Sequence, residues 1–206
     1  VILSMKGYVI KALKEFQHKK PTKPFDAPAK FHQPEFGQKV QYERQDISEK
    51  LSPKQIETIQ KVCGKFLYTC RGIDGTMHHT LNELCIAATK GTQETQDALE
   101  YFLNYCATHP EAQIIYRASD MILTVDSDAA YQVAPKSRSR ASGYHYLGDM
   151  DGLLFNGAVF ILAKVIKAVM QSAAEAECGA LYMNAKEVMP MRTTLEELKH
   201  PQPPTP

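Results

Sequence analysis

Two pairs of carboxylates carry most of the chemistry that the sequence offers. Asp126-Ser127-Asp128 closes a β-rich run, Met121-Ile122-Leu123-Thr124-Val125. Side chains alternate along a strand, so Asp126 and Asp128 point the same way as Ile122 and Thr124. A carboxylate at a strand end is held rigidly while it faces an open site, which suits a metal ligand or a general base. An ordinary strand-end turn uses the same residue types, and the pattern alone leaves both readings open. Glu175 and Glu177 lie on an Ala-rich segment that predicts a helix over 172–185. They point about 200° apart on such a helix, so at most one faces a sheet. Ala173, Ala180 and Leu181 share a face with Glu177, which makes Glu177 the inward candidate. An inward carboxylate is costly unless it is paired or holds a metal. An Ala-rich helix displays its face poorly, however, and on the pattern alone a solvated Glu177 is the favoured alternative.

Other polar clusters are less specific. Lys136, Arg138 and Arg140 alternate with Ser137 and Ser139. They could touch phosphates, and a solvated hairpin loop explains them as well. His78 and His79 are adjacent, so on a helix they point about 100° apart and cannot grip one ion together. Cys63 and Cys70 share a face but stand about 10 Å apart, too far for a disulfide. The sequence has no P-loop, no GxGxxG and no GxSxG, which leaves nucleotide-binding and serine-hydrolase readings without support.

The elements that would position these residues follow from periodicity. Val9, Leu13 and Phe16 fall at helical spacing after a possible cap at Ser4. A Pro-rich stretch from Pro21 to Pro34 reads as an irregular strap, laid down by Phe25, Phe31 and Phe36. Ser52-Pro53-Lys54-Gln55 is a helix start with a capping box. Ile56, Ile59, Cys63, Phe66, Leu67 and Cys70 then trace one apolar face. Further helices are predicted over about 78–89 and 92–109, packed through Ile59, Phe66, Leu84, Leu99 and Phe102. From Ile114 the pattern turns to β, with strands predicted near 121–127, 142–148 and 157–163 in an antiparallel order. The helix over 172–185 follows, then a short one over 194–199. The fold class is therefore α/β (α+β): a small helical layer followed by a mixed sheet with an antiparallel three-stranded start. Three segments result, at 1–50, 51–112 and 113–206.

Composition excludes several classes. With 24 basic and 23 acidic residues in 206, no global field recruits nucleic acid or an anionic membrane. Five cysteines, an odd number without a CxxC pair, predict free thiols in a reducing compartment. The longest uncharged apolar-rich run, Gly152 to Ala163, has 12 residues, short of the roughly 20 that a membrane helix needs. No membrane role is expected.

Three motifs in order carry a resemblance. Asp126-Ser127-Asp128-Ala129-Ala130-Tyr131, then Ser139-Arg140-Ala141-Ser142-Gly143-Tyr144, then Ser172-Ala173-Ala174-Glu175-Ala176-Glu177 resemble the ribonuclease H domain of copia-type LTR retrotransposon Pol polyproteins. Upstream, Leu3-Ser4-Met5-Lys6-Gly7-Tyr8-Val9, Gly64-Lys65-Phe66-Leu67-Tyr68 and the stretch Ala98 to Pro110 look like the thumb and connection that end the family's reverse transcriptase. The resemblance implies a piece of Pol: a reverse-transcriptase tail in the first two segments, then a ribonuclease H-like domain. It implies Asp128 and Glu177 as inherited catalytic and metal positions, with Asp126 and Glu175 as neighbours. It further implies two Mg²⁺ ions in the complete site and an RNA–DNA hybrid as partner beside the rest of Pol. Lys136, Arg138 and Arg140 are then the nucleic-acid contacts, and the setting is cytoplasmic or nuclear.

The sequence departs from the family in places. Ala130 stands where the family often has Asp, and Ala173-Ala174 replace Ser-Thr. The family's third carboxylate lies in a Thr-Asp-Asn or Cys-Asp-Asn motif, expected beyond Pro206, so residues 1–206 alone are expected to be inactive. The polymerase Tyr-x-Asp-Asp motif is absent as well. Two other readings stay open: a non-catalytic remnant of such an element, and an unrelated interaction domain.

Overall fold

The computed structural model describes residues 1–30, 46–134 and 136–204. The chain divides into two units, Leu3–Gln113 and Val1–Ile2 with Ile114–Pro206. The fold is α+β, with five α-helices and two small sheets among the described residues. A short strand β1 (Ile2–Ser4) pairs with β2 (Gln113–Ile115).

The first unit is helical. Helix α1 spans Lys6–Glu15 and buries Val9, Ala12 and Leu13. Its N-cap is Met5 and not Ser4, because Ser4 is taken up by β1. Helix α2 (Pro53–Gly72) starts as its sequence dictates: Pro53 occupies the first turn, and Ser52 N–H donates to Gln55 Oε1 at 3.0 Å. Helix α3 is His78–Ala87 and α4 is Gln93–Thr108. Ile59, Phe66, Leu84, Leu99 and Phe102 are all buried in one core, which Val9, Ala12 and Leu13 of α1 join. Phe66 and Phe102 meet edge to face, with centroids 5.5 Å apart and planes at 86°. Each such side chain contributes about 1.5–3 kcal/mol on burial. Of the strap, Phe25 packs against this core and against Tyr101, with ring centroids 4.8 Å apart. Phe31 and Phe36 lie outside the described residues.

The second unit holds an antiparallel sheet in the order β3-β4-β5, from β3 (Ile122–Ala134), β4 (Arg138–Gly148) and β5 (Ala158–Val165). The expected meander is present, but its first hairpin is longer. β3 runs on past Asp126 and Asp128, which therefore sit within the strand and do not end it. Ala129 and Ala130 continue the ladder opposite Ala141 and Arg140, and the register shifts only between Ala130 and Ala134. Gln132, Lys136 and Ser137 all take positive φ, so the turn forms at Lys136-Ser137.

Helix α5 (Ala173–Glu197) packs on β3 and β4. It is one helix of 25 residues, where a break before 194 was predicted. Pro190 sits inside it on the exposed side. There the carbonyl that loses its backbone donor can be met by water, which lowers the usual cost of an internal proline. Ala176 and Ala180 of α5 pack with Ala141, Leu162, Ile166 and Met170, and with Ala129, Tyr131 and Phe160 beside them.

Candidate functional site

The two faces of the β3–β4–β5 sheet decide where the carboxylates stand. Asn184 Nδ2 on α5 donates to Ser127 Oγ at 2.9 Å, and Ala129 and Tyr131 pack into the α5 cluster. Odd-numbered β3 residues therefore face the helix. Asp126 and Asp128 point to the other face, and both are exposed. Across the ladder Asp128 is paired with Ser142, Asp126 with Tyr144 and Ala130 with Arg140. Ser142 Oγ donates to the main-chain oxygen of Asp128 at 3.2 Å. One face thus gathers Asp126, Asp128, Arg140, Ser142 and Tyr144.

The basic residues divide between loop and strand. Lys136 is exposed at the hairpin tip. Arg138 and Arg140 belong to β4, half-buried, and alternate with the buried Ser139 and Ala141. The loop expected over 136–140 is therefore two residues of turn followed by strand. Next to Asp126 the face becomes aromatic: Tyr144 stacks on Phe155 with centroids 4.9 Å apart and planes at 14°. Tyr144 OH donates to Asn156 O at 3.0 Å. Burial raises the pKa of both Tyr144 and Tyr146.

On α5 the inward face is Ala176, Ala180 and Asn184, spaced four apart. Glu177 is exposed, on the flank next to Ala176, and Leu181 is 62% exposed. This corrects the inward placement of Glu177 with Ala173 and Leu181. Small side chains at 176 and 180 let the helix approach closely, and Asn184 fits over Gly143, so these three set the face. Glu175 has a structural task. Its carboxylate accepts from Gln171 N–H at 2.6 Å, while its own N–H donates to Ser172 Oγ at 3.1 Å, a reciprocal cap.

In donor type, two solvent-facing carboxylates fit an oxygen-preferring cation such as Mg²⁺. Among the described residues, no group of three or more His, Cys, Asp or Glu side chains is assembled to hold a metal, and no helix is long and apolar enough to cross a membrane.

The sequence reading missed the polar centre beneath the sheet. His145 is fully buried, and its Nε2 lies 3.0 Å from Asn184 Oδ1. The available signal was Gly143 inside a β-rich stretch, since glycine in a strand marks a close approach. No family model matches the chain, and neither a curated protein nor a solved structure was found to match it.

Proposed function

We propose that the chain is a piece of a copia-type retrotransposon Pol polyprotein, whose parent cleaves the RNA strand of RNA–DNA hybrids beside an RNA-directed DNA polymerase. One observation carries the reading. The three motifs behind the resemblance fall, in order, on a strand, its antiparallel partner and a helix packed on that first strand. Asp128 is on the strand and Glu177 is in the second turn of the helix.

In this reading Asp128 and Glu177 would be ligands of Mg²⁺, which when bound activates water and stabilises the leaving oxygen in phosphodiester cleavage. β3 here turns Asp128 to the face away from α5, however, and so does not bring it to Glu177. The chain's own residues supply placement. β3 fixes Asp128 through its ladder to Ser142, and the cap at Ser172 and Glu175 fixes the start of α5. Lys136, Arg138 and Arg140 offer positive charge to the substrate's phosphates, on a chain whose formal net charge is only +1. By the resemblance, the third carboxylate follows Pro206.

The test is release of labelled RNA from a hybrid, with and without chelator. A longer chain carrying the sequence that follows Pro206 in its reading frame is expected to cleave. Asp128→Asn or Glu177→Gln should abolish this, and Glu175→Gln should do less. Residues 1–206 alone should cleave little. Robust, chelator-sensitive cleavage by 1–206 would overturn this choice of ligands.

A further inference from the structure

We propose that the cavity between α2, α4 and the loop leaving α1 binds a small organic anion: a compact apolar body that carries one phosphate, sulfonate or carboxylate group. The site lies within the helical unit, so it stands or falls apart from the hybrid-cleavage reading. Its volume is about 650 Å³, inside the range of about 300–1,000 Å³ that small-molecule sites occupy. Phe16, Phe25, Val62, Leu99 and Leu103 make part of its lining apolar. Lys19, Lys20 and Lys23 line it as well, against Glu100 as the one carboxylate, so the lining is net positive.

The three lysines are held over the cavity. His18 Nε2 lies 3.0 Å from Asn104 Oδ1, and Phe25 N–H donates to Thr108 Oγ1 at 3.2 Å. Asn104 and Thr108 are one turn apart on α4, so these bonds close the neck of a loop from His18 to Phe25. Pro21 and Pro24 fix φ within that loop. Folding therefore orders the backbone that carries the lysines, which leaves less entropy to lose when an anion binds. A helix C-terminus also attracts cations, but that effect fades within the last turn, where α1 already carries Lys14. It does not account for Lys20 and Lys23. Among the described residues none of the three lysines has an ion pair. Lysines alone would accept any phosphate; the apolar lining selects, because an apolar body buries area there that inorganic phosphate lacks. A nucleic-acid duplex offers phosphates too, but it keeps its bases stacked and cannot use this lining.

Titration of the 206-residue chain with 1-naphthyl phosphate, followed by amide chemical shifts, tests this. The probe should shift the amides of Thr22, Lys23, Thr58 and Leu103 and saturate. It should bind at least about 10-fold tighter than inorganic phosphate, which lacks the body, and than 1-naphthol, which lacks the charge. Replacing the lysines together, as Lys19→Gln, Lys20→Gln and Lys23→Gln, should weaken it about 10-fold. Thr58→Trp, which fills the cavity from an exposed position on α2, should abolish binding and leave the circular-dichroism spectrum unchanged. The proposal is overturned if no saturable shift appears at these residues, or if phosphate or naphthol alone binds as tightly as the probe. Unaltered affinity in either variant would overturn it as well. So would a short RNA–DNA hybrid that displaces the probe at matched concentration, since the lysines would then serve nucleic acid.

Discussion

His145 Nε2 stands 3.0 Å from Asn184 Oδ1, and the rest of the Asn184 network fixes which atom carries the hydrogen. The amide nitrogen already faces Ser127 Oγ, Ser142 O and Ala180 O. Oδ1 must therefore accept, so Nε2 donates. His145 Nδ1 is buried without a partner. Protonating it would place an N–H where nothing accepts it.

The pH dependence of stability follows. Burial pushes the pKa of His145 down from 6.5, while the Asn184 hydrogen bond and the charge of Glu187 pull the other way less strongly. The unfolded chain therefore takes up the proton first as pH falls. The contribution is complete above 6.5 and is lost as pH drops through the folded pKa, at up to about 1.4 kcal/mol per pH unit. Urea melts at about pH 7.5 and about pH 5 should show a larger loss for wild type than for His145→Gln. Equal losses would count against this.

In the helical core, Phe66→Ala and Phe102→Ala should each cost about 3–5 kcal/mol. Their edge-to-face contact at 5.5 Å predicts a coupling of about 0.5–1.5 kcal/mol in a double-mutant cycle by chemical denaturation. Strict additivity would show that the rings act only through their area.

Tyr105 OH donates to Asp74 Oδ2 at 3.1 Å, and burial together with that carboxylate raises the tyrosine to about 12. A raised acid stabilises the fold fully below its unfolded pKa of 10.0 and loses that contribution as pH climbs towards 12. Tyr105→Phe should cost about 1–2 kcal/mol near neutrality, by leaving Asp74 one donor short. It should also flatten the alkaline loss between pH 10 and 12 in circular-dichroism melts.

The thiols should fall into two classes. Cys85 and Cys178 are exposed, whereas Cys63, Cys70 and Cys106 are buried. Burial raises Cys63 and Cys70 to about 12, so they hold little thiolate. A chromogenic disulfide reagent should meet two fast thiols and three that react only on unfolding. Fast reaction of Cys70 would contradict the packing around it.

The helical unit was legible because Ile59, Phe66, Leu99 and Phe102 are large apolar residues at helical spacing, and Ser52-Pro53 punctuates the start of α2. The three-stranded meander was legible from its β-rich runs. The length of β3 was not: Asp126 and Asp128 read as the end of the strand, but on a solvent-facing side of a sheet two carboxylates do not interrupt a ladder. Nor was the face of α5, since Ala173, Ala174, Ala176 and Ala180 give no contrast between inside and outside. Its orientation comes from the fit of Asn184 over Gly143, a tertiary match between residues 41 positions apart that neither local sequence displays.

Gln202, beyond the end of α5, accepts from Leu123 N–H at 2.9 Å and donates to Met121 O at 2.9 Å. Its side-chain amide copies one peptide group of a neighbouring strand, on the side of β3 away from β4. The sheet order leaves the rest of that side of β3 without a strand among the described residues. Such an edge is a template for sheet growth between molecules. Asp126 and Asp128 then act as gatekeepers: two molecules aligned along this edge would bring like charges together. Colloidal stability of the chain therefore draws on Asp126 together with the candidate ligand Asp128, and replacing both by asparagine favours association along this edge.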